Sequence, residues 1–170
     1  TFLVIVLLGL SFKDLFHAGY FPMHDDMQAM RIQQMTKCFE DRQLPCRWVP
    51  DMGYGYGYPQ FNFYPPLPYY FMTLIHLSGI QIIDAVKTGF IATFVLSGIG
   101  MYLLGRNLFG HAGGLLSSAF YLYAPYRAMN VYVRGAMGEI WAMAMIPFLV
   151  YFLFKLSQKV NIRNLIGFAI

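Results

Sequence analysis

The sequence predicts an all-α fold: a polytopic integral-membrane helix bundle that reads as a fragment of a longer chain. Three observations carry that expectation. Charged residues make up 12% of the chain, about half of the ~25% usual in soluble domains. Apolar residues make up 58% and the mean hydropathy is +0.49, values of a membrane protein rather than a soluble one. Four apolar runs follow residue 66, each at or a little below spanning length, joined by short polar connections. The net charge of +4 is small and scattered. With no Lys/Arg-rich tract, no nucleic-acid partner is expected.

The chain opens on TFLVIVLLGL, and residues 1–12 read as a partial first transmembrane helix. A helix that short reaches about 18 Å, against a hydrocarbon core of roughly 30 Å. Neither a basic n-region nor a small-residue cleavage site frames it, so it is not a complete signal peptide. Residues 13–66 read as a long outer-face loop holding most of the acids: Asp14, Asp25, Asp26, Glu40, Asp41 and Asp51. Within it DDMQAMRIQQMTKCFEDRQ has helical periodicity. Met27, Met30, Met35, Cys38 and Phe39 share one face, and Arg31, Gln33, Lys37 and Glu40 fall elsewhere. Such a stripe beside a membrane predicts a helix lying on its surface. Cys38 and Cys46 could pair in an oxidising compartment, but two isolated thiols are the plainer reading. His17, His24, His76 and His111 are far apart, and no zinc-ligand spacing occurs.

Residues 67–86 read as a re-entrant or interfacial helix. Transmembrane helices follow at about 88–105, 112–126 and 140–155, with the start of another at 163. The second is rich in small residues, AGGLLSSAF, which lets helices approach closely in lipid. Tyr102, Tyr121, Tyr123, Tyr126 and Tyr151 sit where interfacial aromatic belts would. Charge decides between two topologies. If the run 67–83 crosses, Arg127 and Arg134 lie inside. If it does not, Arg106, Lys155, Lys159 and Arg163 all lie inside, which the positive-inside bias favours. Non-crossing backbone at that depth needs protein or a water-filled cavity around it.

The second topology brings three polar groups to the outer face. In FPMHDDMQ, Asp25 or Asp26 could act as a general base, its pKa raised by its neighbour, or ligate a hard cation. On spacing alone, the stronger reading is an N-cap with a first-turn acid. In VYVRGAMGEIWAMAMIP, Arg134, with Arg127 nearby, suits bidentate phosphate binding, and Glu139 could position a substrate hydroxyl. Alternatively both arginines sit at headgroup level and Glu139 caps its helix. Asp84 and Lys87 are explained by an i,i+3 ion pair. In DMGYGYGYPQFNFYPPLPYY, Tyr54, Tyr56, Tyr58 and Tyr64 offer flat faces with hydroxyl tips, suited to a sugar ring or lipid chain. GYG here lacks the preceding Thr-Val of a potassium filter. A loop of interfacial aromatics is the plain alternative.

The strings HDDMQAMRIQQM, LPCRWVPDMGYGYGYPQFNFYPPLPYY, AVKTGF, SGIGMYLLGRNLFG, FYLYAPYR and VYVRGAMGEIWAMAMIP together resemble a family of bacterial polytopic membrane proteins. These are the 6-pyruvoyl-tetrahydropterin synthase-related membrane proteins, and the resemblance runs from about His17 to Phe154. The family is similar in turn to a branch of the GT-C glycosyltransferase superfamily, kin to YfhO-like and mannosyltransferase-like proteins. Pterin chemistry is not expected, because the soluble synthase needs a three-histidine zinc site that this histidine spacing does not match. The resemblance implies a multi-pass protein of the bacterial cytoplasmic (inner) membrane, transferring a sugar from a polyprenyl-phosphate donor at the outer face. It implies Asp25 as the base, Asp26 as its partner or as a ligand of a divalent cation if one is used, phosphate contact by Arg134 and Arg127, and acceptor positioning by Glu139. The readings from other classes are a non-catalytic membrane protein or transporter, and a structural module whose aromatic loop packs an adjoining domain.

Overall fold

The computed structural model describes residues 9–169 of the chain. The predicted first span lies outside them except for residues 9–12. Among the described residues the fold is helical, with an isolated antiparallel bridge between Val49 and Tyr58. A 3-10 turn, Lys13–Phe16, is followed by α1 (Gln28–Glu40), a single-turn α2 (Gln60–Phe63) and α3 (Leu67–Leu77). Next come α4 (Ile82–Leu122), α5 (Pro125–Ala128) with a π-turn over Met129–Arg134, α6 (Met137–Gln158) and α7 (Ile162–Ala169).

α4 is not one rod. At Gly110 the backbone takes φ 75° and ψ −170°, a conformation that a residue without Cβ adopts at little cost. The helix folds back there, so residues 82–109 and 111–122 form antiparallel arms. Ser118 Oγ donates to the Gly98 carbonyl at 3.1 Å. A Cβ on Gly114 would sit 2.9 Å from the Tyr102 carbonyl. Small residues set this close approach, as the AGGLLSS run predicts. The returning chain continues through α5 and the π-turn to Arg134, and α6 then runs beside the first arm. Tyr121 Oη donates to the Met143 carbonyl at 2.7 Å, and Phe148 lies against Gly100. By helical rise the first arm is about 42 Å long and α6 about 33 Å. Ile82–Leu122 and Met137–Gln158 are each long and apolar enough to cross a membrane. Their outer faces expose Phe109, Leu116, Phe120 and Leu153, as a lipid-facing surface would.

Above this hairpin sits the core that positions the site. Ile32 and Met35 of α1, Tyr69 and Met72 of α3, Phe90 of α4, and Met137 and Ile140 of α6 bury together. The predicted helix 67–86 is two pieces. α3 has eleven residues, about 16 Å, and stops where Ser78 Oγ takes the Ile75 carbonyl at 2.7 Å. α4 then turns back on it, with Met72 against Gly89. Lys87 does not pair with Asp84; it is buried, and its Nζ donates to the His17 carbonyl.

Three further expectations change. α1 is not a surface helix with an apolar stripe alone. Its buried face reads Gln28, Arg31, Ile32, Gln34, Met35 and Cys38, and α3 and α4 cover it. Cys38 and Cys46 are disulfide-bonded rather than isolated thiols, closing the turn after α1. The Gly-Tyr stretch is a protruding loop closed by the Val49–Tyr58 bridge, whose two amide-to-carbonyl bonds are both 2.9 Å. Tyr54 and Tyr56 stand exposed at its tip. Composition identified a rigid aromatic loop but could not give the direction in which it points.

Candidate functional site

An open cavity of about 560 Å³ lies between the Asp25 loop, the Phe63–Pro65 segment and the start of α6. His24, Asp25, Tyr64, Arg134 and Glu139 line it. Two segments far apart in the chain meet there through the backbone. The His24 amide donates to the Val133 carbonyl and the Asp25 amide to the Arg134 carbonyl, each at 2.9 Å. Gln28 Nε2 adds a bond of 2.7 Å to the Gly135 carbonyl. Gly135 terminates the π-turn with φ 64°.

One wall is built on Asp25. Its Oδ2 accepts from Arg31 Nη1 at 2.7 Å, Tyr64 Oη at 2.8 Å and Gln28 Nε2 at 3.1 Å. Its Oδ1 has no such bond among the described residues. The Arg31 guanidinium lies 4.1 Å over the Tyr64 ring, and Tyr69 Oη bonds Gln28 Oε1 at 2.6 Å. Burial by itself raises the Asp25 carboxyl. The bonds from Arg31 and Tyr64 and the Arg31 charge outweigh it and hold the carboxyl below its ordinary value. The expectation that Asp26 would raise it therefore fails: the Arg31 cation sits on the carboxylate, while the Asp26 side chain is exposed. Burial, then the Asp25 bond, pushes the Tyr64 hydroxyl up, so Tyr64 remains a neutral donor. Neither acid caps α1, whose N-cap is Met27 with no side-chain bond.

The opposite wall is built on Arg134 and Glu139, ion-paired at 2.8 Å. Arg134 Nη1 also donates to Asn130 Oδ1 at 2.6 Å. Glu139 Oε1 accepts from Asn130 Nδ2 at 3.0 Å and from the Tyr126 hydroxyl. Both charged side chains remain partly exposed to the cavity, Arg134 at 41% and Glu139 at 35%. The site thus sets a carboxylate with one free oxygen against a guanidinium in reach of solvent.

The predicted residues divide cleanly. Asp25, Tyr64, Arg134 and Glu139 meet in the cavity. Asp26 lies beside it with its carboxylate in solvent. Arg127 is fully buried elsewhere, donating to the Thr93 carbonyl at 2.8 Å with its guanidinium 4.6 Å from the Phe94 ring. Tyr54, Tyr56 and Tyr58 do not line the cavity. Sequence reasoning missed Gln28, Arg31 and Asn130. The signal for the first two was present: Gln28, Arg31, Met35 and Cys38 recur at helical spacing, so the arginine is in register with the buried stripe.

Asp25 and Asp26 do not form a chelate, and no group of three or more His, Cys, Asp or Glu among the described residues could hold a metal ion. The model of a family described as "6-pyruvoyl-tetrahydropterin synthase related domain; membrane protein" matches residues 61–170. No curated protein and no solved structure matches the chain.

Proposed function

We propose, for a chain that belongs to the 6-pyruvoyl-tetrahydropterin synthase related family of membrane proteins, a role as a GT-C-type glycosyltransferase. Its cavity would take a sugar from a polyprenyl-phosphate donor at the outer face of the cytoplasmic membrane. The observation that carries the reading is that Asp25, whose Oδ1 accepts no bond among the described residues, and the solvent-reaching Arg134 line one open cavity above helices of spanning length. In a single displacement, an acceptor hydroxyl attacks the anomeric carbon. The bond from that carbon to the phosphate oxygen breaks, the phosphate leaves toward Arg134, and the hydroxyl proton passes to Asp25. Glu139 fixes Arg134 in place. Asp25 in its resting pairing is a weak base, so the ligand must loosen the Tyr64 and Arg31 bonds for proton transfer.

The test is consumption of polyprenyl-phosphate sugar by the full-length protein in proteoliposomes. Arg134→Gln is expected to lower it about 10- to 100-fold, the size of a lost charged hydrogen bond. A wild type that consumes none sinks the reading. That outcome would favour a non-catalytic binding or transport cavity, to which the internal pairing of both acids lends support.

The orientation rests on charge. Arg106, Lys155, Lys159 and Arg163 lie at the end of the hairpin opposite the cavity, and they are the cytoplasmic cations of the non-crossing topology. A cysteine placed at Ser157 should react with a membrane-impermeant maleimide from the cytoplasmic side. Labelling from outside alone would reverse the orientation.

A further inference from the structure

The end of the bundle farthest from the cavity carries a second polar pocket. It has a volume of about 540 Å³ and holds Lys155, Lys159 and Arg163. A smaller one of about 290 Å³ adjoins it, holding Arg106 and Asn107. The two share Leu103 and Tyr151 as a common wall. No Asp or Glu occurs between residues 85 and 138 or after Glu139, so the elements that build this end supply four cations and no counter-charge. Among the described residues none of the four has an ion pair.

The backbone here is satisfied by other groups. Asn164 Nδ2 donates to the Lys159 carbonyl at 2.9 Å and the Lys155 carbonyl at 3.3 Å. Asn161 Oδ1 accepts from the Asn164 amide at 2.8 Å. The turn between α6 and α7 is therefore pinned without drawing on the lysine and arginine side chains. Asn107 Nδ2 is buried and has no hydrogen-bond partner among the described residues, a donor waiting for an acceptor. Besides Gln158, Asn161 and Asn164, the lining includes the apolar side chains of Leu103 and Phe152.

We infer that these joined pockets bind the phosphate of an anionic phospholipid headgroup, with the acyl chains leaving along Leu103 and Phe152. Unpaired cations at the end of spanning helices attract acidic headgroups, and the apolar wall gives a lipid a contact that a free phosphate ion lacks. The inference stands independently of the transferase reading.

Full-length protein in mild detergent would be titrated with dioleoyl-phosphatidylglycerol, dioleoyl-phosphatidylcholine or inorganic phosphate, and retained adducts read by native mass spectrometry. Phosphatidylglycerol should be retained in preference to phosphatidylcholine. Lys155→Gln with Lys159→Gln should weaken retention about 20- to 30-fold, at about fivefold per cation. Asn107→Leu should weaken it with all cations in place, and Arg47→Gln, on the exposed outer loop, should leave it unchanged. Equal retention of the two lipids, or undiminished retention in the lysine variant, overturns the site. Displacement of the lipid by inorganic phosphate overturns the lipid as the source and assigns the pocket to the free ion.

Discussion

Asp25→Asn is expected to lower sugar consumption by about 10²- to 10⁴-fold, the range of a lost general base, while the helices still insert. The same change also destabilises the protein, because Arg31 is only 7% exposed and loses its counter-charge. Asn keeps an oxygen that can accept from Tyr64 and Arg31, so the stability loss should be about 1–3 kcal/mol rather than that of an orphaned ion pair. The two effects separate in the double variant Asp25→Asn with Arg31→Met, which removes the stranded cation and should return most of the stability. If turnover stays lost in the stabilised double variant, Asp25 acts on the ligand. If turnover returns with stability, Asp25 is only a strut and the base assignment falls. The acid limb gives a further check. The folded carboxyl is held below its unfolded value, so its contribution is complete above about pH 4 and is lost as pH falls through the lowered folded value. Asp25→Asn should flatten that part of the stability profile.

Two long apolar helices and half of the site were legible in the sequence for one reason: in a chain this apolar, each interruption is informative. The runs predicted at 88–105 and 140–155 fall inside the first arm of α4 and inside α6. Their ends were misplaced because hydropathy stops at Asp84, Lys87 or Lys155, whereas backbone hydrogen bonding continues through them. The predicted connection at residues 106–111 is helix on both sides of one glycine, since hydropathy does not register a backbone reversal. Asp25, Arg134 and Glu139 stood out as charges beside apolar runs, and they do meet. Arg31 and Gln28 did not stand out, because a polar residue on an amphipathic helix ordinarily faces water. Their spacing put them in register with the buried stripe, but the partners that satisfy them there, Tyr64 and Tyr69, come from beyond the aromatic loop. Tyr54 and Tyr56 were misplaced for the converse reason: they share the chemistry of Tyr64, and only the Val49–Tyr58 bridge turns them outward.

Gly135→Ala should have the second large effect, and its cause is geometric rather than chemical. Gly135 has φ 64°, a left-handed conformation that costs an alanine about 1 kcal/mol or more. The same holds for Gly55, at φ 86°, but a Cβ there would meet nothing within 4 Å. Gly55→Ala therefore measures the backbone term alone. At Gly135 a Cβ would run into Met23 Sδ and lie 3.0 Å from the Asp25 carbonyl oxygen. Methionine can move aside, but the carbonyl belongs to the segment whose amides bond Val133 and Arg134. Alanine must push that segment off the π-turn and weaken both bonds together. The expected loss is about 2–4 kcal/mol by thermal unfolding, with one to two of it from lost hydrogen bonds. Met23 is buried in the core, so Met23→Ala has its own cavity cost; the double variant should lose less than the sum of the two single variants, the difference being the methionine share. Turnover should fall further than stability, because the displaced segment carries Asp25 away from Arg134. A Gly135→Ala protein as stable and active as a Gly55→Ala protein would mean that the two walls of the cavity are not coupled through this turn.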